Sequence, residues 1–136
     1  MNQLYKSNNM QIILKIYDGL SSSNINPLLK NLDDNIQWIE TTGFPYGGNY
    51  NGIESVKLIF SRLESEWDNY KSTAQKYYET TDEQVIIVEG FYSGVYKKTK
   101  NPFQANFVHI WKFEDGKIIE FKQCVDSYLV RKVMNP

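Results

Sequence analysis

NFVHIWKFEDG, residues 106–116, carries the only histidine of a 136-residue chain. Phe107, His109, Trp111 and Phe113 alternate there with Val108, Ile110 and Lys112. A period of two is that of a strand, so His109 belongs to an aromatic face. Glu40 ends the stretch IQWIE and shares a face with Ile36 and Trp38. Tyr17 falls within a helical repeat of Met10, Ile13, Leu14, Tyr17 and Leu20. Three groups that can hold or move a proton therefore lie on faces whose pattern is apolar. Each also has a plain structural explanation: a core tyrosine with its hydroxyl at the rim, a strand-end carboxylate in water, a core histidine satisfied by a neighbour. A buried carboxylate needs a partner or a raised pKa, however, and three such groups together suggest a site.

Other chemistries find little support. With one histidine and one cysteine the chain lacks the ligand set of a dedicated zinc or iron site. There is no Walker loop, and Gly47, Gly48 and Gly52 miss the dinucleotide fingerprint in spacing and context. No serine lies in a nucleophile elbow. Any catalysis must come from protons and fixed dipoles, without a cofactor. Lys+Arg number 15 against 16 Asp+Glu, scattered without a basic stripe, which argues against a nucleic-acid partner. Cys124 cannot form an internal disulfide and reads as a small buried or interface hydrophobe in a reducing compartment. MNQLYKSNN has no signal-peptide core, and no apolar run approaches the roughly 18 residues of a membrane span. These features predict a cytoplasmic single domain over residues 1–136. Aromatic residues make up 15 % of the chain, enough both to fill a core and to line a concave site for a flat apolar ligand.

The elements that must position these groups follow from periodicity. Residues 7–20 read as a helix, with Asn8 and Gln11 resembling a capping box. Asn26 can cap a short second helix with Pro27 at its first position and Leu28, Leu29 and Leu32 on one face, ended by Asp33 and Asp34. IQWIE begins a strand, and TTGFPYGGNYNG (41–52) is a loop by composition. A third helix carries Ile53, Val56, Ile59, Phe60, Leu63 and Trp67 on one side. KSTAQKYYET and QVIIVEGFYSGVYKK are strands, and Gly90 and Gly94 mark a bend or bulge in a curved sheet. Two more strands are joined by EDGK. Helices preceding a meander of strands predict an α+β fold, three N-terminal helices packed on one face of a curved, mostly antiparallel sheet that closes into a cone.

The last hairpin permits a parity argument. Phe107, His109, Trp111 and Phe113 should face the same way as Ile119, Phe121, Gln123 and Val125. All are odd-numbered, so they share a side only if the connecting loop has an odd number of residues. A three-residue loop with Gly116 in the left-handed region meets this; a two-residue Asp115–Gly116 turn would separate the faces.

From Asn8 to about Tyr128 the chain resembles the nuclear transport factor 2-like fold, and within it the SnoaL-like polyketide cyclases and steroid delta-isomerases. WIETTGFPYGGNYNG, GFYSGVY and FVHIWKFEDGKIIEFKQ carry the likeness. The isomerases have a tyrosine on the first helix, matched by Tyr17, and an aspartate base on the first strand, where this chain has Glu40. Their neutral, hydrogen-bond-donating aspartate corresponds to His109. The cyclases' acid/base aspartate on the last strand corresponds to Gln123, whose amide cannot take a proton.

The resemblance implies proton abstraction next to a carbonyl by Glu40, with Tyr17 and His109 stabilising the oxyanion. Trp38, Phe44, Tyr46, Tyr92, Trp111 and Gln123 would shape a pocket for a small, flat, apolar ligand. The alternative is a non-catalytic binding or sensing protein in which Glu40 and His109 pair. A homodimer through the convex sheet face is expected from Val108, Ile110 and Cys124.

Overall fold

In a computed structural model, which describes residues 6–136, the Ser7 hydroxyl accepts from the Met10 amide at 3.0 Å and caps α1, Asn8–Leu20. Ser7, not Asn8, is the cap, and Gln11 reaches back to the Lys6 carbonyl rather than completing a capping box. Ile13, Ile16, Tyr17 and Leu20 form the buried stripe of this helix. α2, Asn26–Leu29, is a single turn with Ile25, not Asn26, at its N-cap and no side-chain cap; Asn26 is its first residue, its amide donating to the Asn24 side chain. Leu32, expected on that helical face, instead starts β1, Leu32–Glu40, because it pairs with Ile118 in the sheet.

The segment expected to be loop contains a further strand, β2, Gly48–Asn51, antiparallel to β1. Two stacked turns reverse the chain before it: the Phe44 amide donates to the Thr41 carbonyl and the Gly47 amide to that of Phe44. A side chain at position 47 would meet the Thr41 carbonyl at 2.5 Å, so glycine permits the reversal. α3, Ile53–Glu66, buries Val56, Ile59 and Leu63. Trp67 continues the helical spacing but turns extended (φ −129°, ψ 151°) and opens β3, Trp67–Glu79. Pairing with Tyr96 and packing of the indole on Tyr70, Tyr96 and Phe103 outweigh the helical pattern.

β4 (Val85–Tyr96), β5 (Pro102–Glu114) and β6 (Lys117–Val125) complete a six-stranded sheet of order β2-β1-β6-β5-β4-β3 among the described residues. Only the β1–β6 pairing is parallel. The ladder slips by one residue opposite Gly94 and again opposite Gly90, and both extra residues lie on β3. At Gly90 an added side chain would sit 2.1 Å from the Thr73 carbonyl and 2.8 Å from the Phe107 ring. The expected irregularity is therefore at these glycines, with the bulged residues on the partner strand.

The β5–β6 connection departs from the expected three-residue loop. Glu114 pairs with Lys117 across a two-residue turn, Asp115 and Gly116, with φ of 50° and 76°. Left-handed values at both positions are what a type I′ turn requires. The faces nevertheless coincide, because Phe113 pairs with Ile118 while Lys112 pairs with Glu120, leaving Ile119 as a bulge. Ile118, not Ile119, is the fully buried member of that pair.

α1 and α3 pack against the sheet on the side of the buried side chains. A fourth helix absent from the sequence reading, α4, Ser127–Met134, is capped by Asp126 and packs on β5, with Val130 buried. Among the described residues no helix is long and apolar enough to cross a membrane.

Candidate functional site

The inward faces of the strands converge on a chamber of about 30 Å³, room for a water molecule or two. β1 contributes Trp38 and Glu40, and the following loop Phe44. β3 contributes Tyr70 and Ser72, β4 Tyr92, β5 His109 and Trp111, and β6 Phe121 and Gln123. Leu20 of α1 and Ile59, Phe60 and Leu63 of α3 close the remaining side. Leu20, Phe60, Leu63, Tyr70 and Ser72 also line an outer hollow of about 230 Å³. These five residues thus separate a tight inner chamber from an open vestibule.

Glu40 is 7 % exposed, and its Oε2 accepts from the Trp38 indole nitrogen at 2.5 Å. The donor is two residues earlier on the same strand, where period two puts both side chains on one face. Burial pushes the Glu40 carboxyl up to about 8, with the Trp38 hydrogen bond pulling the other way. Desolvation wins because one neutral donor replaces only part of the water a carboxylate loses. Burial raises the phenols of Tyr70 and Tyr92, both of which line the chamber, and the Glu40 carboxylate, when ionised, raises them further.

His109 is 2 % exposed and stacks on Phe107 at 3.8 Å between ring centroids. Its Nδ1 meets the Tyr17 hydroxyl at 2.5 Å, and its Nε2 meets the Tyr92 hydroxyl at 2.7 Å. Burial lowers its basicity well below the ordinary histidine value, so the ring is neutral. The Trp111 indole donates to the Tyr17 oxygen at 2.9 Å, and the Gln123 amide nitrogen donates to the Tyr92 oxygen at 2.8 Å. Gln123 is held in turn by Thr41, whose amide donates to Oε1 at 3.3 Å and whose hydroxyl donates to the Gln123 carbonyl. Glu40 and His109 do not pair: an indole holds one and two phenols hold the other.

Seven of the residues singled out from sequence line the chamber: Trp38, Glu40, Phe44, Tyr92, His109, Trp111 and Gln123. Tyr17 does not. It lies behind His109, which separates it from Tyr92. Tyr46 is also outside the chamber. Its hydroxyl donates to Glu66 Oε1 at 2.6 Å and accepts from the Trp67 indole at 2.7 Å, tying the glycine-rich loop to the end of α3. A single aromatic in a loop gives no periodicity from which its direction can be read. Tyr70 and Ser72 escaped the sequence reading because the β3 bulges break the alternation that would have marked them. Phe121 was visible as an inward position, as were Leu20, Ile59, Phe60 and Leu63 as core.

A family profile described as the SnoaL-like domain matches residues 13–121. Among solved structures, an NTF2-like protein from Burkholderia thailandensis E264 is 30 % identical over 96 % of this chain and 100 % of its own, with a TM-score of 0.87. TerC, co-crystallised with polyporic acid, is 20 % identical over 96 % and 100 % of the two chains, with a TM-score of 0.83. A protein of ketosteroid isomerase-like fold from Catenulispora acidiphila DSM 44928, in complex with trimethylamine, is 17 % identical over 93 % and 94 %, with a TM-score of 0.77. No curated protein matches the sequence. The chain belongs to the SnoaL-like domain family, with the α+β architecture of the nuclear transport factor 2-like fold.

Proposed function

We propose that this protein binds a small carbonyl compound and moves a proton next to its carbonyl group, with Glu40 as the acid–base group and no cofactor. The observation that carries this reading is a chamber-lining carboxyl whose pKa is raised to about 8 without an ion-pair partner. Such a group is present in both protonation states near neutral pH, as a general acid–base catalyst requires. The carboxylate takes a proton from the carbon beside the carbonyl, the developing enolate oxygen is held by a neutral donor, and the carboxylic acid returns the proton to carbon. The flat walls formed by Trp38, Phe44, Trp111 and Phe121 suit an apolar ring. Admitting one requires the partition of Leu20, Phe60, Leu63, Tyr70 and Ser72 to open and join the chamber to the vestibule.

The test is deuterium incorporation beside the carbonyl of cyclohexanone or cyclohexenone in D₂O, followed by NMR. The protein should accelerate exchange, and Glu40→Gln should abolish the acceleration. Equal rates for the two would refute the acid–base reading.

A second reading, binding or sensing without catalysis, is favoured by one observation: among the described residues every buried side-chain nitrogen and oxygen already has a hydrogen-bond partner. On that reading Glu40→Gln leaves ligand affinity intact and there is no exchange to lose.

The proposal extends to assembly as a two-fold dimer through the convex face. Tyr78, Ile87 and Ile110 lie side by side across β3, β4 and β5 on that face, and Tyr78 is 43 % exposed. Val108 and Cys124 are paired beside them, with Glu89 opposite Val108 and Lys122 opposite Ile110, so the face is apolar side chains interspersed with charge. Light scattering should give twice the 15.9 kDa chain mass, and Ile110→Lys should give the monomer.

A further inference from the structure

The hydrogen bonds around His109 contain one hydroxyl hydrogen more than they contain acceptors. Two donors in this network have fixed direction. The Trp111 indole nitrogen can only donate, so the Tyr17 oxygen accepts from it. The Thr41 backbone amide can only donate, so the Gln123 atom it meets is the oxygen, and the amide nitrogen faces Tyr92. The Tyr92 oxygen therefore accepts from Gln123.

A neutral His109 ring, bonded to both phenols, has one N–H and one lone pair. Two arrangements remain. With the proton on Nδ1, His109 donates to Tyr17, and Tyr92 donates to Nε2. The Tyr17 hydrogen is then surplus. With the proton on Nε2, His109 donates to Tyr92, and Tyr17 donates to Nδ1. The Tyr92 hydrogen is then surplus.

Access to the chamber decides between them. Tyr17 lies outside the chamber, and among the described residues its oxygen is bonded only to Trp111 and His109, so a surplus hydrogen there has no acceptor. Leaving a buried donor unmet is the costlier arrangement. Tyr92 lines the chamber, where a ligand oxygen can accept its hydrogen.

We propose that Tyr92, rather than His109 or Tyr17, donates the hydrogen bond that recognises the ligand's oxygen, and that His109 is a positioning residue whose Nε2–H tautomer turns the Tyr92 hydroxyl toward the chamber. This rests on the reading above in taking the chamber as the ligand site, and it narrows the ligand to one with an acceptor oxygen, such as a carbonyl or a phenolate. Both nitrogens of His109 are committed, so the imidazole meets the ligand only through Tyr92.

The chain has a single histidine, so nitrogen NMR of the ¹⁵N-labelled wild-type protein reads its two ring nitrogens without assignment ambiguity. A proton on Nε2 and a bare Nδ1 are expected. A proton on Nδ1, or on both, overturns the inference whatever the protein's activity. Binding gives the second arm, with 4-nitrophenol and its methyl ether 4-nitroanisole as probes. Wild type should prefer the phenol, and Tyr92→Phe should lose about tenfold or more of that affinity while its affinity for the ether stays level. Equal losses for both probes overturn the assignment. If the tautomer and the phenol preference hold while Glu40→Gln leaves exchange unchanged, the acid–base reading fails and Tyr92 remains the recognition donor.

Discussion

The Trp38 indole donates to Glu40 Oε2 at 2.5 Å from two residues earlier on the same face of β1. This bond favours the carboxylate, while burial, the larger effect, favours the acid. Trp38→Phe keeps a flat apolar wall and removes the donor. The Glu40 pKa should then rise above its value of about 8, and the base form should become scarcer at neutral pH. A pH–rate profile of deuterium exchange checks this, with its alkaline rise moving to higher pH in the variant. A downward move would mean that the indole does not hold the carboxylate form.

Glu40 and His109 together shape the pH dependence of stability. Glu40 has its pKa raised from 4.5 to about 8, so the folded state keeps a proton that the unfolded chain releases across that window. Its contribution is fully present below 4.5 and is lost as pH rises to about 8. His109 has its pKa depressed from 6.5, so the unfolded chain takes up a proton below 6.5 that the folded state refuses. Its contribution is full above 6.5 and is lost as pH falls. The two slopes oppose each other between 4.5 and 6.5, giving a broad maximum there. Above 6.5 Glu40 acts alone, and stability should fall by about 1.4 kcal/mol per pH unit. Denaturant titrations should show that fall in wild type and its absence in Glu40→Gln.

The two-residue turn and its bulge make a sharp distinction between neighbours. Ile118 is fully buried and Ile119 is the half-buried bulge residue. Ile118→Asp puts an unpaired charge into the core and should cost on the order of 4 kcal/mol or more. Ile119→Asp should cost about 1 kcal/mol or less. Thermal melts of the two variants decide it, and the reverse order would contradict the register.

That bulge also shows what a sequence can and cannot specify. His109 and Gln123 were legible as inward-facing partners, since aromatic and apolar alternation marks their strands. The turn between them was not, because a two-residue turn with a bulge and a three-residue loop give the same faces. The position of Glu40 followed from its spacing to Trp38, but its indole partner did not, since proximity on a face does not fix side-chain direction. Tyr17 was legible as buried, yet its depth behind His109 depends on how α1 sits against β3 and β5, a tertiary matter. α4 went unread because it is only eight residues long, although Leu129, Val130, Val133 and Met134 sit at helical spacing and pack on the core. Trp67 shows the opposite failure, a helical pattern overruled by pairing at the edge of the sheet.

Phe60 stands between the chamber and the vestibule and touches Trp38 edge to face at 6.0 Å. If ligands enter through that partition, Phe60→Ala should speed association of 4-nitrophenol and admit bulkier phenols that wild type rejects. Stopped-flow absorbance measures the association rate. An unchanged rate would put the entrance elsewhere.

Glu40 lines the chamber with its carboxyl pKa raised to about 8. Carbon-13 NMR of protein labelled at the glutamate side-chain carboxyls, with Glu40→Gln to identify the resonance, measures its titration directly. A midpoint near 8 is expected. A midpoint near 4.5, the ordinary glutamate value, would mean a solvated carboxylate and would contradict the proposed chemistry.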